Sequence, residues 1–156
     1  MKALVAVYSF TGRTLKVADQ LKNELGADVT RLEPQKDVSY LGKCLAALLR
    51  RKTPLKPCQA DLRGYDLLVL CGPVWGYSPP AGVNEYLARL QNAGGKRCAV
   101  VLTMGGSGDR RVAAMLRKDL AKKGVQLIDT MALKEAVVDG GEYSAAVAQF
   151  AARLKA

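Results

Sequence analysis

Five apolar runs of strand length alternate along this chain with segments whose apolar residues recur at helical spacing, and few folds accept that alternation. Residues 3–8 (Ala-Leu-Val-Ala-Val-Tyr) are almost continuously apolar, as a strand covered on both faces requires. Val17, Ala18, Leu21 and Leu25 then fall on one helical face, with Leu15 at its edge, and Gly26 supplies a helix stop. Further strands are expected at 28–32, 67–71, 99–103 and within 125–133. Helices are expected around Val83–Leu90, Val112–Leu120 and Val147–Leu154. Residues 35–61 are the least regular stretch. There Leu41, Leu45 and Leu48 suit one side of a helix, and Pro54 and Pro57 prevent it continuing. Parallel strands need crossover connections, so the pattern predicts an α/β protein with helices on both faces of a parallel sheet. The 156 residues suit one domain, 1–156.

In such a sheet ligands bind at the carboxyl ends of the strands, where the strand order reverses. Three loops rich in glycine or hydroxyl groups follow the first, third and fourth strands, so all three emerge at one edge. The first is Ser9-Phe10-Thr11-Gly12-Arg13-Thr14, directly before a helix. Backbone N–H groups that open a helix lack intrahelical partners and carry the positive end of its dipole, which makes a phosphate a natural occupant. Ser9, Thr11 and Thr14 offer hydroxyls, Gly12 permits a close turn, and Arg13 either adds a charge or points to solvent. The competing reading is a threonine that merely caps the helix. A dinucleotide fingerprint would need G-x-G-x-x-G where only Gly12 stands, and no G-x-x-x-x-G-K-[ST] run exists in the chain.

The second loop, Gly72-Pro73-Val74-Trp75-Gly76-Tyr77, holds the single tryptophan beside two glycines and a proline. An indole face suits a flat, electron-poor ring; the alternative is a tryptophan that packs over the sheet edge. The third, Thr103-Met104-Gly105-Gly106-Ser107-Gly108, allows close backbone approach to a planar ligand, with Ser107 or Asp109 available as a cap and Met104 as a cover. Tyr65-Asp66 and Asp139-Gly140-Gly141 read as turns without chemistry.

Composition narrows the chemistry. Histidine is absent, which excludes Ser-His-Asp and Cys-His catalysis and histidine-ligated metals. Cys44, Cys58, Cys71 and Cys98 are too few and too dispersed for a disulfide framework, and Cys71 and Cys98 lie in apolar runs expected in the core. No apolar stretch reaches membrane-helix length, and the N-terminal run leads straight into a polar loop, so a cytoplasmic protein without membrane insertion is expected. Net charge is +10, and residues 34–64 carry seven basic residues against two acids. Such a segment is a solvated face or meets an acidic protein, a phosphate-bearing ligand or, less readily, nucleic acid.

The run Tyr8-Ser9-Phe10-Thr11-Gly12-Arg13-Thr14 resembles the flavodoxin phosphate loop, [T/S]-x-T-G-x-T, at the corresponding place after the first strand. Residues 72–77 are similar to that family's G-[ST]-P-[VT]-[WY] loop, without the Ser or Thr between Gly72 and Pro73. The resemblance spans nearly the whole chain and implies a flavodoxin-like three-layer sandwich, its five-stranded parallel sheet in the order 2-1-3-4-5. It implies FMN as cofactor, held by Ser9–Thr14 and flanked by Pro73, Val74, Trp75, Gly76 and Tyr77 and by Thr103, Met104, Gly105, Gly106, Ser107 and Gly108. The implied function is electron transfer through non-covalently bound FMN, with a redox partner protein. The alternatives are an NAD(P)H-dependent quinone or flavin oxidoreductase and a flavin-free binding module. Flavodoxins are usually acidic, so a charge of +10 departs from a low-potential shuttle.

Overall fold

The computed structural model describes residues 1–156. Its strands are β1 (Ala3–Val7), β2 (Asp28–Arg31), β3 (Leu67–Pro73), β4 (Arg97–Met104) and β5 (Gln126–Lys134). The helices are α1 (Arg13–Leu25), α2 (Tyr40–Leu48), α3 (Ala81–Arg89), α4 (Asp109–Lys122), α5 (Glu135–Asp139) and α6 (Ser144–Lys155). All strand pairs are parallel, in the order β2-β1-β3-β4-β5, which is the expected flavodoxin-like order. The order reverses at β1 and β3, so their carboxyl ends, with that of β4, present three loops at one edge.

The alternating side chains of the central strands build two cores. Leu4, Ala6, Leu68, Leu70, Cys98, Val100 and Leu102 face α3 and α4. Ala3, Val5, Val7, Leu67, Val69, Cys71, Ala99 and Val101 face α1 and α6. Burial on both faces explains why β1, β3 and β4 read as unbroken apolar runs. Burial pushes the Cys98 thiol up to about 12 and raises that of Cys71 as well, so neither is a nucleophile.

One feature differs from the sequence reading: residues 135–139 form a short helix directly after β5, so Asp139 ends a helix. Helix α2 forms where the leucine spacing places it, with Leu41, Leu45 and Leu48 on its solvent side and Lys43 and Ala47 buried. A short antiparallel bridge between Pro34 and Leu55 closes the base of this excursion, so α2 stands away from the sheet.

Helix α3 approaches β1 so closely at Gly82 that a Cβ there would lie 2.6 Å from the Tyr8 ring. Gly82→Ala should cost about 1–3 kcal/mol despite the better helix propensity of alanine, because overpacking dominates. Urea unfolding should show a lower midpoint at unchanged slope. An unchanged midpoint would mean that Tyr8 yields without cost.

Candidate functional site

Helix α1 begins after Gly12, whose φ of 91° only glycine adopts readily, and no side chain caps it in the usual way. Instead the Ser9 Oγ accepts from the Gly12 and Leu15 N–H groups at 3.1 and 3.3 Å. The N–H groups of Phe10, Thr11, Arg13 and Thr14 have no acceptor in the protein. Four free donors at a positive helix end form an anion cradle. Around Gly12 a Cβ would meet nothing within 4 Å, so the space above the loop is open.

The three hydroxyls of this loop separate. Thr14 is buried and its hydroxyl pairs with that of Thr103 at 2.8 Å, tying the start of α1 to the end of β4. Only Ser9 and Thr11 remain at the cradle, and the Thr11 hydroxyl is exposed. Arg13 neither points to free solvent nor enters the cradle. Its guanidinium forks onto Asp139 at 2.9 and 3.0 Å and reaches Glu135 at 3.3 Å. Hydrogen bonding from Arg13 holds the Asp139 carboxyl below its ordinary range. The contact therefore contributes at neutral pH and is lost as pH falls through that lowered value.

In the loop after β3, Gly76 and Tyr77 both have positive φ (55° and 58°), a tight reversal closed by paired backbone bonds between Trp75 and Ser78. Trp75 is only 5% exposed. Its indole meets Tyr8, Phe10 and Tyr40 in edge contacts at 5.4, 6.0 and 5.9 Å. The tryptophan thus supports the loop from below, and the aromatic ring displayed at the surface is Tyr77, 55% exposed. That arrangement favours the packing alternative for Trp75 over a free stacking face.

The loops after β3 and β4 touch. Val74 N–H donates to the Thr103 carbonyl at 2.8 Å, and a Cβ on Gly108 would lie 2.9 Å from Tyr77 and from Val74. Gly108, at φ 104°, starts α4 as Gly12 starts α1, and neither Ser107 nor Asp109 caps it. The N–H groups of Gly105, Gly106, Ser107 and Gly108 are without protein acceptors, and the space beside Gly105 and Gly106 is open. Met104 is buried beneath its loop. All seventeen residues singled out in the sequence thus lie on three neighbouring loops, with Trp75, Met104, Thr14 and Thr103 underneath. Sequence reasoning missed Glu135 and Asp139, which carry no motif and meet Arg13 only through the fold.

The Thr14–Thr103 pair is testable apart from any ligand. Thr14→Val leaves a buried hydroxyl on Thr103 without its partner and should cost about 1–3 kcal/mol, whereas T14V/T103V should recover most of that loss. Denaturant unfolding of the singles and the double decides it. Additive losses would show that the two hydroxyls do not depend on each other.

Residues 1–138 match the sequence model of a family described as NADPH-dependent FMN reductase. No curated protein sequence matches this chain. Several solved structures share its fold. A Bacteroides uniformis protein described as a candidate flavoprotein is 19% identical, with 96% of each chain covered and a TM-score of 0.78. A Lactobacillus acidophilus flavoprotein solved in complex with FMN is 20% identical, covering 89% of this chain and 97% of that one, with a TM-score of 0.74. A Streptococcus pneumoniae flavodoxin is 16% identical over 99% and 98% of the two chains, at a TM-score of 0.63. At these identities the likeness establishes the fold.

Proposed function

This chain belongs to the NADPH-dependent FMN reductase family and is an FMN-binding, flavodoxin-like flavoprotein, and we propose that it is an enzyme that passes electrons from NADPH to an acceptor. The observation that carries the site assignment is the set of four partnerless N–H groups at residues 10, 11, 13 and 14. In this reading they hold the FMN phosphate, together with the Ser9 and Thr11 hydroxyls. Pro73–Tyr77 and Thr103–Gly108 flank the ring, with Tyr77 and the open backbone of Gly105 and Gly106 nearest to it. The residues fit the group: a compact anion cradle stands beside two loops that expose backbone donors around open space. FMN, when bound, supplies the capacity to accept two electrons and release them singly or together.

The chain's own groups position and tune. Arg13 is neutralised by Glu135 and Asp139, so binding of the phosphate dianion rests on backbone dipoles, with Arg13 contributing no free charge. The Thr14–Thr103 bond keeps the phosphate and ring loops in register. Tyr8 stays protonated, since burial lifts it to about 12, and it offers no base. No general acid or base lies on the three loops, consistent with chemistry left to the cofactor. NADPH is the family's reductant, and a net charge of +10 suits a phosphate-rich dinucleotide better than a basic redox protein. Four free thiols fit a cytoplasmic protein, and no helix is long and apolar enough to cross a membrane. We treat residues 1–156 as one domain, because α6 beyond the matched region completes the α1 face of the core.

Two measurements test this reading. Thr11→Ala should leave stability within about 0.5 kcal/mol and weaken FMN binding roughly tenfold, with riboflavin binding unchanged, since a hydrogen bond to a charged group contributes about 1.5–3 kcal/mol. Equal losses for both ligands would remove the phosphate from this loop. FMN-loaded protein should oxidise NADPH when a quinone or free flavin is supplied. Loaded protein that leaves NADPH untouched would return the chain to a carrier role.

A further inference from the structure

Tyr8 carries a hydroxyl that the protein does not use. The hydroxyls of Tyr65 and Tyr86 donate to Asp28 at 2.8 Å and to the Gln59 carbonyl at 2.9 Å. Tyr8 is 4% exposed, yet its hydroxyl bonds no protein group and is not sealed within the core. It opens into a cavity of about 180 Å³ that the residue lines, beneath the excursion between β2 and β3. Gly82 lets α3 press on the Tyr8 ring and so fixes where the hydroxyl points. Burial, with Asp37 nearby, lifts this phenol to about 12, so it remains a donor.

The rest of the cavity is complementary to an anion with an apolar body. Trp75, edge-on to Tyr8 at 5.4 Å, forms its apolar wall with Pro34, Val38 and Ala46. Its charged lining residues are all cations. Lys36, Arg51 and Lys52 have no carboxylate partner, while Lys43 is held by Asp37 at 2.7 Å. Ala81 also lines the cavity and opens α3, whose first two N–H groups have no acceptor in the protein. The frame is fixed by the fold. Gln35 N–H donates to the Pro54 carbonyl at 2.9 Å, Lys56 N–H to that of Glu33 at 2.8 Å, and the Asn84 amide to that of Arg51 at 3.0 Å. A closed cavity of about 150 Å³ holds one benzene ring, so the volume here suits a single ring with its carboxylate. The cavity is lined by none of the open amides at residues 10–14 and 105–108, and it meets the flavin loops only through Trp75.

We propose that this cavity is a second ligand site, taking a small monocyclic carboxylate. The ring lies against Trp75, Val38 and Ala46, and the carboxylate accepts from the Tyr8 hydroxyl among Lys36, Arg51 and Lys52. Occupancy is independent of FMN and of which acceptor takes the electrons.

The test is equilibrium dialysis of FMN-loaded protein against benzoate, benzyl alcohol and inorganic phosphate separately. Benzoate should bind at one equivalent, about tenfold or more tighter than either of the others, with the flavin absorption spectrum unchanged. Tyr8→Phe removes a hydroxyl that no protein group uses, so it should keep the fold and FMN content and weaken benzoate about tenfold. R51A/K52A should weaken benzoate further and reduce the salt dependence of its binding. Failure to bind benzoate would overturn the proposal, as would a Y8F variant that binds it like the parent. Benzyl alcohol matching benzoate would reduce the site to an apolar hole, and phosphate matching it would reduce the site to a cluster of cations; either result overturns the proposal. Unloaded protein should bind benzoate with the same affinity. Tighter binding there, or a shifted flavin spectrum in the loaded protein, would place benzoate in the flavin site and equally overturn it.

Discussion

The backbone N–H groups at the start of α1 have no partner because a parallel sheet compels it. Each strand must cross back through a helix, and each helix therefore begins at the same edge with its donors pointing outward. At most such helix starts a serine, threonine or aspartate side chain takes up the donors. Here Gly12 and Gly108 stand at the N-cap positions of α1 and α4, and neither supplies a side-chain oxygen. Ser9 satisfies two donors from within the loop and leaves four. The site is thus a deliberate deficit in backbone hydrogen bonding, held open by glycines and placed at the reversal of strand order.

The supports of that deficit are long-range, the hydroxyl pair buried and the ion pair exposed. Thr14 joins Thr103 across 89 residues, and Arg13 joins Asp139 across 126. Trp75 fills the space beneath the β3 loop with Tyr8 and Tyr40 around it. Consequently the groups that look most chemical in the loops, a threonine, an arginine and a tryptophan, act mainly as braces. The groups left exposed on these loops include backbone amides, the Thr11 hydroxyl, Phe10 and Tyr77.

Sequence patterning identifies the five strands and the three loops, because burial on both faces of β1, β3 and β4 leaves an unmistakable apolar signature, while their order was legible only through the family resemblance. It does not reveal which loop side chains turn inward. Thr11 and Thr14 are indistinguishable as letters, yet one is exposed and the other buried against a partner on β4. Periodicity locates α2, but three leucines at helical spacing define a face without saying what that face meets. There the buried face holds Lys43, because the adjacent Phe10 ring and Asp37 compensate its charge. Glu135 and Asp139 were invisible for the same reason, as their partner is brought to them only by the completed sheet.

The central claim is that the Ser9–Thr14 loop is a phosphate site and that this phosphate belongs to FMN. Titration of the unloaded protein with FMN and with riboflavin, which differ only in that group, addresses it directly. Several charge-assisted backbone hydrogen bonds should make FMN bind about a hundredfold or more tighter. Equal affinity for the two would contradict the account, because the four free amides would then have no part in holding the cofactor.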